Sequence, residues 1–438
     1  MAPDLKLLEL NPPIESNNGH CQHNSIERLS GKQLSYNEFF WHFMNTNWPV
    51  ILTDVSNNWE CRKNWLQYYQ GTSNGNKYTA TINFNYLKQR IGNRSVPVAN
   101  CNREYYNSHA KSEMQFYDFL NYWQQKCERE KVENSNVETH TTDILYLKDW
   151  HLKAESPDYD FYEVPKQFAS DWLNEYLLSN KTDDYRFVYM GPKDTWTPFH
   201  ADVFGSFSWS TNIMGCKKWL LLPNGEELKL KDHLNNLPFR IDESLLEKKG
   251  VQYFTVLQTE NEALFVPSGW YHQVWNMTDT ISINHNWFNS CNLERIWHNL
   301  AAAMQQVINE IEDCRQMDNF NEHCQTMLRA TFGLNYLDFI QLIETITERR
   351  LHCCAENGNE DNRSVLNSDQ CSSSSRLVFF NTHTPNDYHI KHDLHCIQQL
   401  MKVMLQDPVI FENRTFLYRQ CVRLNELISS TLSLSTLN

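Results

Sequence analysis

Apolar spacing along this chain changes character twice, and each change marks a different kind of structure. Residues 1 to about 25 are polar and rich in turn formers, ending in Asn17-Asn18-Gly19-His20-Cys21, and read as a flexible lead-in. Ser35-Tyr36-Asn37-Glu38 is a capping-box sequence followed by Phe39-Phe40-Trp41, which predicts a helix start. The β-rich run Trp48 to Val55 predicts a strand, and Phe116, Phe119, Leu120 and Trp123 repeat at three and four as one helix face. Next come short β-type runs, at Asp143–Leu147, Phe187–Met190, Lys218–Leu222, Asn261–Val266 and Thr280–Asn284, separated by Gly, Pro, Asn and Asp. Such a series predicts a sandwich or barrel. After Asn292 the period turns helical again: Ile296, Leu300, Met304, Val307, Ile308 and Ile311, then Tyr336, Phe339, Ile340, Ile343 and Thr347. Helical character resumes from Asp393 to Ser430, and no internal repeat interrupts the series.

These changes divide the chain into a lead-in over 1–25, a catalytic-sized domain over 26–292, and a helical region over 293–438. The last contains a polar, low-complexity loop at about 356–375. A length of 438 residues, with 41% hydrophobic residues and 14 Trp, suffices for a large core. The net charge of −14 disfavours a phosphate backbone as direct partner and suits a protein substrate better. No apolar run reaches bilayer or signal-peptide length, so no membrane association is expected. The 13 Cys form no C-x-x-C pair, as expected in a reducing compartment, the cytoplasm or also the nucleus.

The chemistry concentrates in Thr197-Pro198-Phe199-His200-Ala201-Asp202. On a strand, His200 and Asp202 project to one face, giving an imidazole and a carboxylate side by side. Pro267-Ser268-Gly269-Trp270-Tyr271-His272 places a second imidazole after a tight turn. Two imidazoles and one carboxylate leave coordination positions open and suit ferrous iron and oxygen. Gly215-Cys216-Lys217-Lys218-Trp219 offers an ammonium near the metal strand, able to pair with a dicarboxylate, and Lys218 replaces Lys217 if the register differs by one. Tyr146 and Thr197 supply hydroxyls for the same purpose, and Asn284, on the face of Ser282, a further polar contact.

The runs Tyr146-Leu147-Lys148-Asp149, Met190-Gly191-Pro192, Thr197 to Asp202, Gly215 to Trp219 and Pro267 to His272 together resemble the jumonji-C (JmjC) oxygenase family, over roughly residues 30–290. The resemblance implies a mainly β protein with helices: a double-stranded β-helix core of jelly-roll or cupin type, with N-terminal α/β elements and a C-terminal helical region. It implies Fe(II) on His200, Asp202 and His272, and 2-oxoglutarate against Tyr146, Thr197, Lys217 and Asn284, with O2 as second cosubstrate. The products would be succinate, CO2 and a hydroxylated substrate. More narrowly, Trp196 to Asp202 with Ser206-Phe207-Ser208-Trp209-Ser210 resembles the branch of the family that hydroxylates carbon 4 of a lysine in the eukaryotic translation release factor. One position departs: several members carry an Asn after the H-x-D motif, where this chain has Ser208 and Ser210, and that contact stays unassigned.

Other features have plainer readings. Trp196, Phe199, Phe204, Trp209 and Trp270 read as core before they read as pocket wall. The His389, His392, His395, Cys396 run has no second Cys pair at a zinc-module spacing and reads as structural or surface. Two other functions compete with protein hydroxylation: histone lysine demethylation by the same oxidant, and a catalytically inactive JmjC binding module. The complete ligand set disfavours the inactive module, and no chromatin-reading module accompanies the domain. Oligomeric state is left open, since the helical stripes fit a dimer or a brace equally.

Overall fold

The computed structural model describes residues 6–13, 25–70, 78–132, 143–180, 184–357, 383–411 and 416–434. Its strands in chain order begin with β1 (Lys6–Leu8), β2 (Glu27–Ser30), β3 (Val50–Thr53), β4 (Leu66–Gln70), β5 (Tyr78–Ile82), β6 (Ser95–Tyr105), β7 (Ser108–Gln115) and β8 (Leu145–Trp150). They continue with β9 (Arg186–Gly191), β10 (Trp196–His200), β11 (Phe207–Met214), β12 (Lys217–Leu222), β13 (Phe254–Gln258), β14 (Ala263–Val266), β15 (Tyr271–Asn276), β16 (Thr280–Trp287) and β17 (His383–Pro385).

Nine strands form one sheet in the order β2-β3-β14-β11-β16-β9-β8-β6-β7, and four form a second in the order β10-β15-β12-β13. Ile51, Leu264 and Val266 of the large sheet share one buried cluster with Trp219, Leu221, Val256 and Val274 of the small one. The two sheets therefore pack face to face, and the fold is the expected mainly β, cupin-like core with a helical C-terminal region. On its other face the large sheet carries Phe207, Trp209, Phe265 and Trp287, which pack against Phe39, Phe43 and Phe168 from the preceding elements. Each such ring taken from water stabilises the fold by roughly 1.5–3 kcal/mol.

The expected capping box is formed. The Ser35 hydroxyl accepts from the Glu38 amide at 3.1 Å, and the Glu38 carboxylate accepts from the Ser35 amide at 3.0 Å, starting a helix at Tyr36–Phe39. The stripe at 116–123 lies on the helix Phe116–Val132. Beyond the barrel, the helices Leu293–Glu310, Phe320–Phe332, Tyr336–Asn357, Asp387–Met404 and Phe416–Leu434 bury a second core together with Trp172, Leu173, Phe204 and Phe288. At its edge Arg350 donates from Nε to Asp393 at 2.9 Å and lies 3.5 Å from Glu175, joining three helices through groups that are nearly inaccessible to water. From residue 358 on, the loop expected at 356–375 lies outside the described residues.

Two features have no counterpart in the sequence reading. Within the segment read as a lead-in, β1 pairs in parallel with β17, and Asn386 bonds the backbone of Leu10 in both directions. The long hairpin β6–β7 extends the large sheet and closes over β10, where the Cys101 thiol meets the Trp196 carbonyl at 3.7 Å. Its second strand, Ser-His-Ala-Lys-Ser-Glu-Met-Gln, has no apolar alternation that would announce it. Among the described residues no helix is long and apolar enough to cross a membrane.

Candidate metal centre and cosubstrate pocket

Strand register sets the site out in rows. Directly opposite residues of antiparallel strands point to one face. His200 of β10 lies opposite His272 of β15, which lies opposite Leu221 of β12. Thr197, Val274 and Trp219 form the next row, and Asn276, Lys217 and Gln258 the one below. Lys217 reaches across to Ser282 of the large sheet, so these rows face the barrel interior.

The turn that delivers His272 is fixed from three sides. Gly269 adopts a φ of 76°, the Ser268 amide donates to Asn47 at 2.9 Å, and the Trp270 indole donates to the Asn47 carbonyl at 3.1 Å. A register shift between Thr197 and His200 turns both side chains inward although they are three residues apart. Asp202 lies just past the end of β10, in extended conformation before a short turn of helix.

One donor atom from each of His200, Asp202 and His272 lies within 4.8 Å of the others, and the imidazole centroids are 4.3 Å apart. Each ring is oriented by its own chain: His200 Nδ1 contacts the Pro198 carbonyl at 2.8 Å and His272 Nδ1 the Trp270 carbonyl at 3.0 Å. With Nδ1–H donating to a carbonyl, Nε2 of each ring keeps a free lone pair. Burial, and then the neighbouring His272, push His200 down to about 4, so it is neutral at ordinary pH. The donor set therefore fits a divalent transition metal. Asp202 accepts from the Ser208 hydroxyl at 2.6 Å, a partner that sequence reading left unassigned.

Lys217 is buried, and its ammonium donates to Ser282 Oγ at 2.7 Å and contacts Ser210 Oγ at 3.5 Å. Among the described residues it has no carboxylate partner, and burial pushes it down to about 7. A buried ammonium held only by hydroxyls is a fitting receptor for one end of a dicarboxylate. Lys218 points the other way, pairing with Glu243 and lying 5.7 Å from the Trp275 ring. The register thus brings Lys217, and not Lys218, into the barrel. Asn284 donates to Ser282 at 3.1 Å, joining the same cluster.

Tyr146 is buried on β8, and burial suppresses its acidity. Gly191 makes room for it: a Cβ there would lie 2.6 Å from the Tyr146 ring and 2.8 Å from Thr195 Oγ1. Six of the seven residues expected at the site lie along these rows and the strands facing them, and the seventh, Asp202, lies just past the end of β10. Sequence reading named Ser208 without assigning its contact, and missed Asn276.

Of the aromatic residues around the motif, Phe199, Phe204, Trp209 and Trp270 are core, and Trp196 is partly buried. Trp209 stacks on Phe168 and His285, Phe199 packs on Tyr271, Phe204 on Phe332, Trp270 on Trp48, and Trp196 on His109. His389 is buried against Tyr36 and Asp393, and His392 touches Cys396, on one helix. Among the described residues no metal-binding group other than His200, Asp202 and His272 occurs.

A double-stranded β-helix with two imidazoles and a carboxylate at one mouth and a buried ammonium below defines a 2-oxoglutarate oxygenase. The family described as "JmjC domain, hydroxylase" matches residues 187–287. The chain is 52% identical to the 2-oxoglutarate and iron-dependent oxygenase JMJD4 homolog of Drosophila melanogaster, over 92% of this chain and 93% of that protein. It is 37% identical to JMJD4 of Danio rerio, over 90% of this chain and 89% of that one. It is also 38% identical to the arginine-specific demethylase JMJ20 of Arabidopsis thaliana, over 72% of this chain and 68% of that protein. The chain belongs to the JMJD4 family of 2-oxoglutarate and iron-dependent oxygenases. It is accordingly a dioxygenase that uses Fe(II), 2-oxoglutarate and O2.

Proposed function

We propose that His200, Asp202 and His272 hold the iron, that Lys217, Tyr146, Thr197 and Asn284 receive 2-oxoglutarate, and that the enzyme hydroxylates carbon 4 of a lysine in the eukaryotic translation release factor. The observation that supports this most is the match to JMJD4 relatives along nine-tenths of the chain, barrel and C-terminal helices together. The resemblance of Trp196 to Ser210 to the lysyl-hydroxylase branch of the family supports this choice of substrate. The cytoplasm, where translation terminates, and also the nucleus are the locations that go with it.

When bound, iron would bring 2-oxoglutarate and the oxidant O2 together, so that one oxygen atom of O2 would pass to succinate as CO2 leaves and the other to the substrate C–H. The chain's own contribution is placement. Its two Nδ1–carbonyl contacts aim the imidazoles, and Ser208 fixes the carboxylate. Lys217 anchors the far end of the dicarboxylate on the row below Thr197. Val274, Trp219 and Leu264 keep the floor dry.

A second reading has one observation in its favour, the resemblance to an arginine-specific demethylase. There the same oxidant would hydroxylate an N-methyl group, which then leaves as formaldehyde. Mass spectrometry of release factor after incubation with the full chain, Fe(II), ascorbate and 2-oxoglutarate separates the two. A gain of one oxygen on lysine is expected. Succinate formation with no oxygen on lysine, and loss of methyl from a methylarginine peptide, would overturn the first reading in favour of the second.

A further inference from the structure

Asp149 shapes the rim of the barrel in a way that metal and cosubstrate do not require. It sits where the register of β8 against β9 shifts, between Leu147 and Trp150, with a φ of 60° that few residues bearing a Cβ adopt. Its carboxylate accepts hydrogen bonds from the Tyr189 hydroxyl and the Lys111 ammonium. Tyr189 stands opposite Ser282, the serine that holds Lys217, and the Lys217 ammonium lies 5.8 Å from its ring. One tyrosine thus spans the chamber from the cosubstrate floor to Asp149.

The partner of Asp149 is poorly suited to a permanent structural role. Lys111 belongs to the edge strand β7, its side chain is 47% exposed, and that of Asp149 is 28% exposed. A half-exposed ammonium on a flexible stem is cheaply displaced. The carboxylate, fixed by Tyr189 and flanked by Lys148, still needs a cation once Lys111 has left. An incoming ammonium or guanidinium restores the same charge balance without burying any new net charge.

We propose that Asp149 is the seat for the cationic head of the substrate side chain, and that Lys111 is an intramolecular stand-in for it. The inference rests on the lysine reading above: only two carbons separate C4 of lysine from its ammonium, so a carbon reacting at the metal needs its counter-ion in the same chamber. A guanidinium would use the same seat, which makes cationic side chains the class admitted.

The test measures binding of a labelled release-factor peptide to the full chain loaded with Mn(II) and 2-oxoglutarate, against the same peptide with norleucine for the target lysine. Wild type should prefer the lysine peptide by about tenfold or more. Asp149→Asn should bring the two peptides to near parity, and Lys111→Met should tighten the lysine peptide several-fold by vacating the seat. Lys111→Met decides the matter if Asp149→Asn does not fold. Equal affinity of wild type for both peptides, retained preference in Asp149→Asn, or weaker lysine binding in Lys111→Met overturns the seat while lysine hydroxylation by wild type still stands. A wild type that adds no oxygen to lysine overturns the substrate reading and the seat together.

Discussion

Ser208 donates its hydroxyl to the Asp202 carboxylate at 2.6 Å, from the strand that follows the H-x-D motif and across the turn that separates them. A carboxylate with one oxygen so occupied presents the other in a fixed direction. Ser208→Ala should therefore weaken metal binding by about 10–100-fold while leaving the fold intact. Calorimetric titration with Mn(II) checks this, and an unchanged affinity would show that Asp202 needs no orienting partner.

Lys217 should make cosubstrate binding depend on pH. Burial holds it at about 7, below the ordinary lysine value, so above that pH the unliganded chain carries it mostly neutral. A bound carboxylate restores the charge, so binding at pH 8 should take up a proton. Affinity for 2-oxoglutarate should fall as pH rises past 7, by up to about tenfold per unit. The same depression means that the unliganded fold, which binds fewer protons than the unfolded chain above 7, gains stability as pH rises from there toward the ordinary lysine value. Calorimetry in two buffers of different ionisation enthalpy measures the uptake. Lys217→Met should abolish it and weaken binding by about a hundredfold.

Gly191→Ala would set a methyl group 2.6 Å from the Tyr146 ring, closer than packed atoms allow. The ring must move, so KM for 2-oxoglutarate should rise about tenfold or more, a loss of the size expected for one buried hydrogen bond. If Tyr146 contributes nothing to cosubstrate binding, KM will not change and only the melting temperature will fall.

Arg350 and Asp393 are buried partners joining two C-terminal helices, with Glu175 on a third. Arg350→Met alone should destabilise by about 3–5 kcal/mol, because it strands a buried carboxylate. The double change Arg350→Met with Asp393→Leu should recover much of that loss. Denaturant unfolding of the single and double variants gives the coupling, and strictly additive losses would mean the ion pair is not energetically linked.

Much of the site was legible because its residues come in short local groups. His200 and Asp202 advertise a shared face, Pro267 to His272 a turn, and the helical stripes their own packing. What was not legible depends on distance along the chain. Lys217 and Lys218 are interchangeable in sequence, and only the pairing of β12 with β15 turns one inward and the other to Glu243. Ser208 looks like any strand serine until the fold sets it beside Asp202. The hairpin β6–β7 has polar residues on much of its length, because part of its surface faces solvent and part the rim of the barrel. Asp149 and Lys111 are 38 residues apart along the chain, and no local spacing links them.

The pairing of β1 with β17 has a consequence for how the molecule is made. Leu10 and Asn386 exchange hydrogen bonds although they are 376 residues apart. On a ribosome working at about 5–20 residues per second, the first of these waits roughly 20–75 seconds for its partner to be synthesised. Over that interval β1 has an unpaired edge. The barrel can close during translation, but the clasp between the two ends of the fold is fastened after it, and a chain interrupted before residue 383 would leave the ribosome with that strand still open.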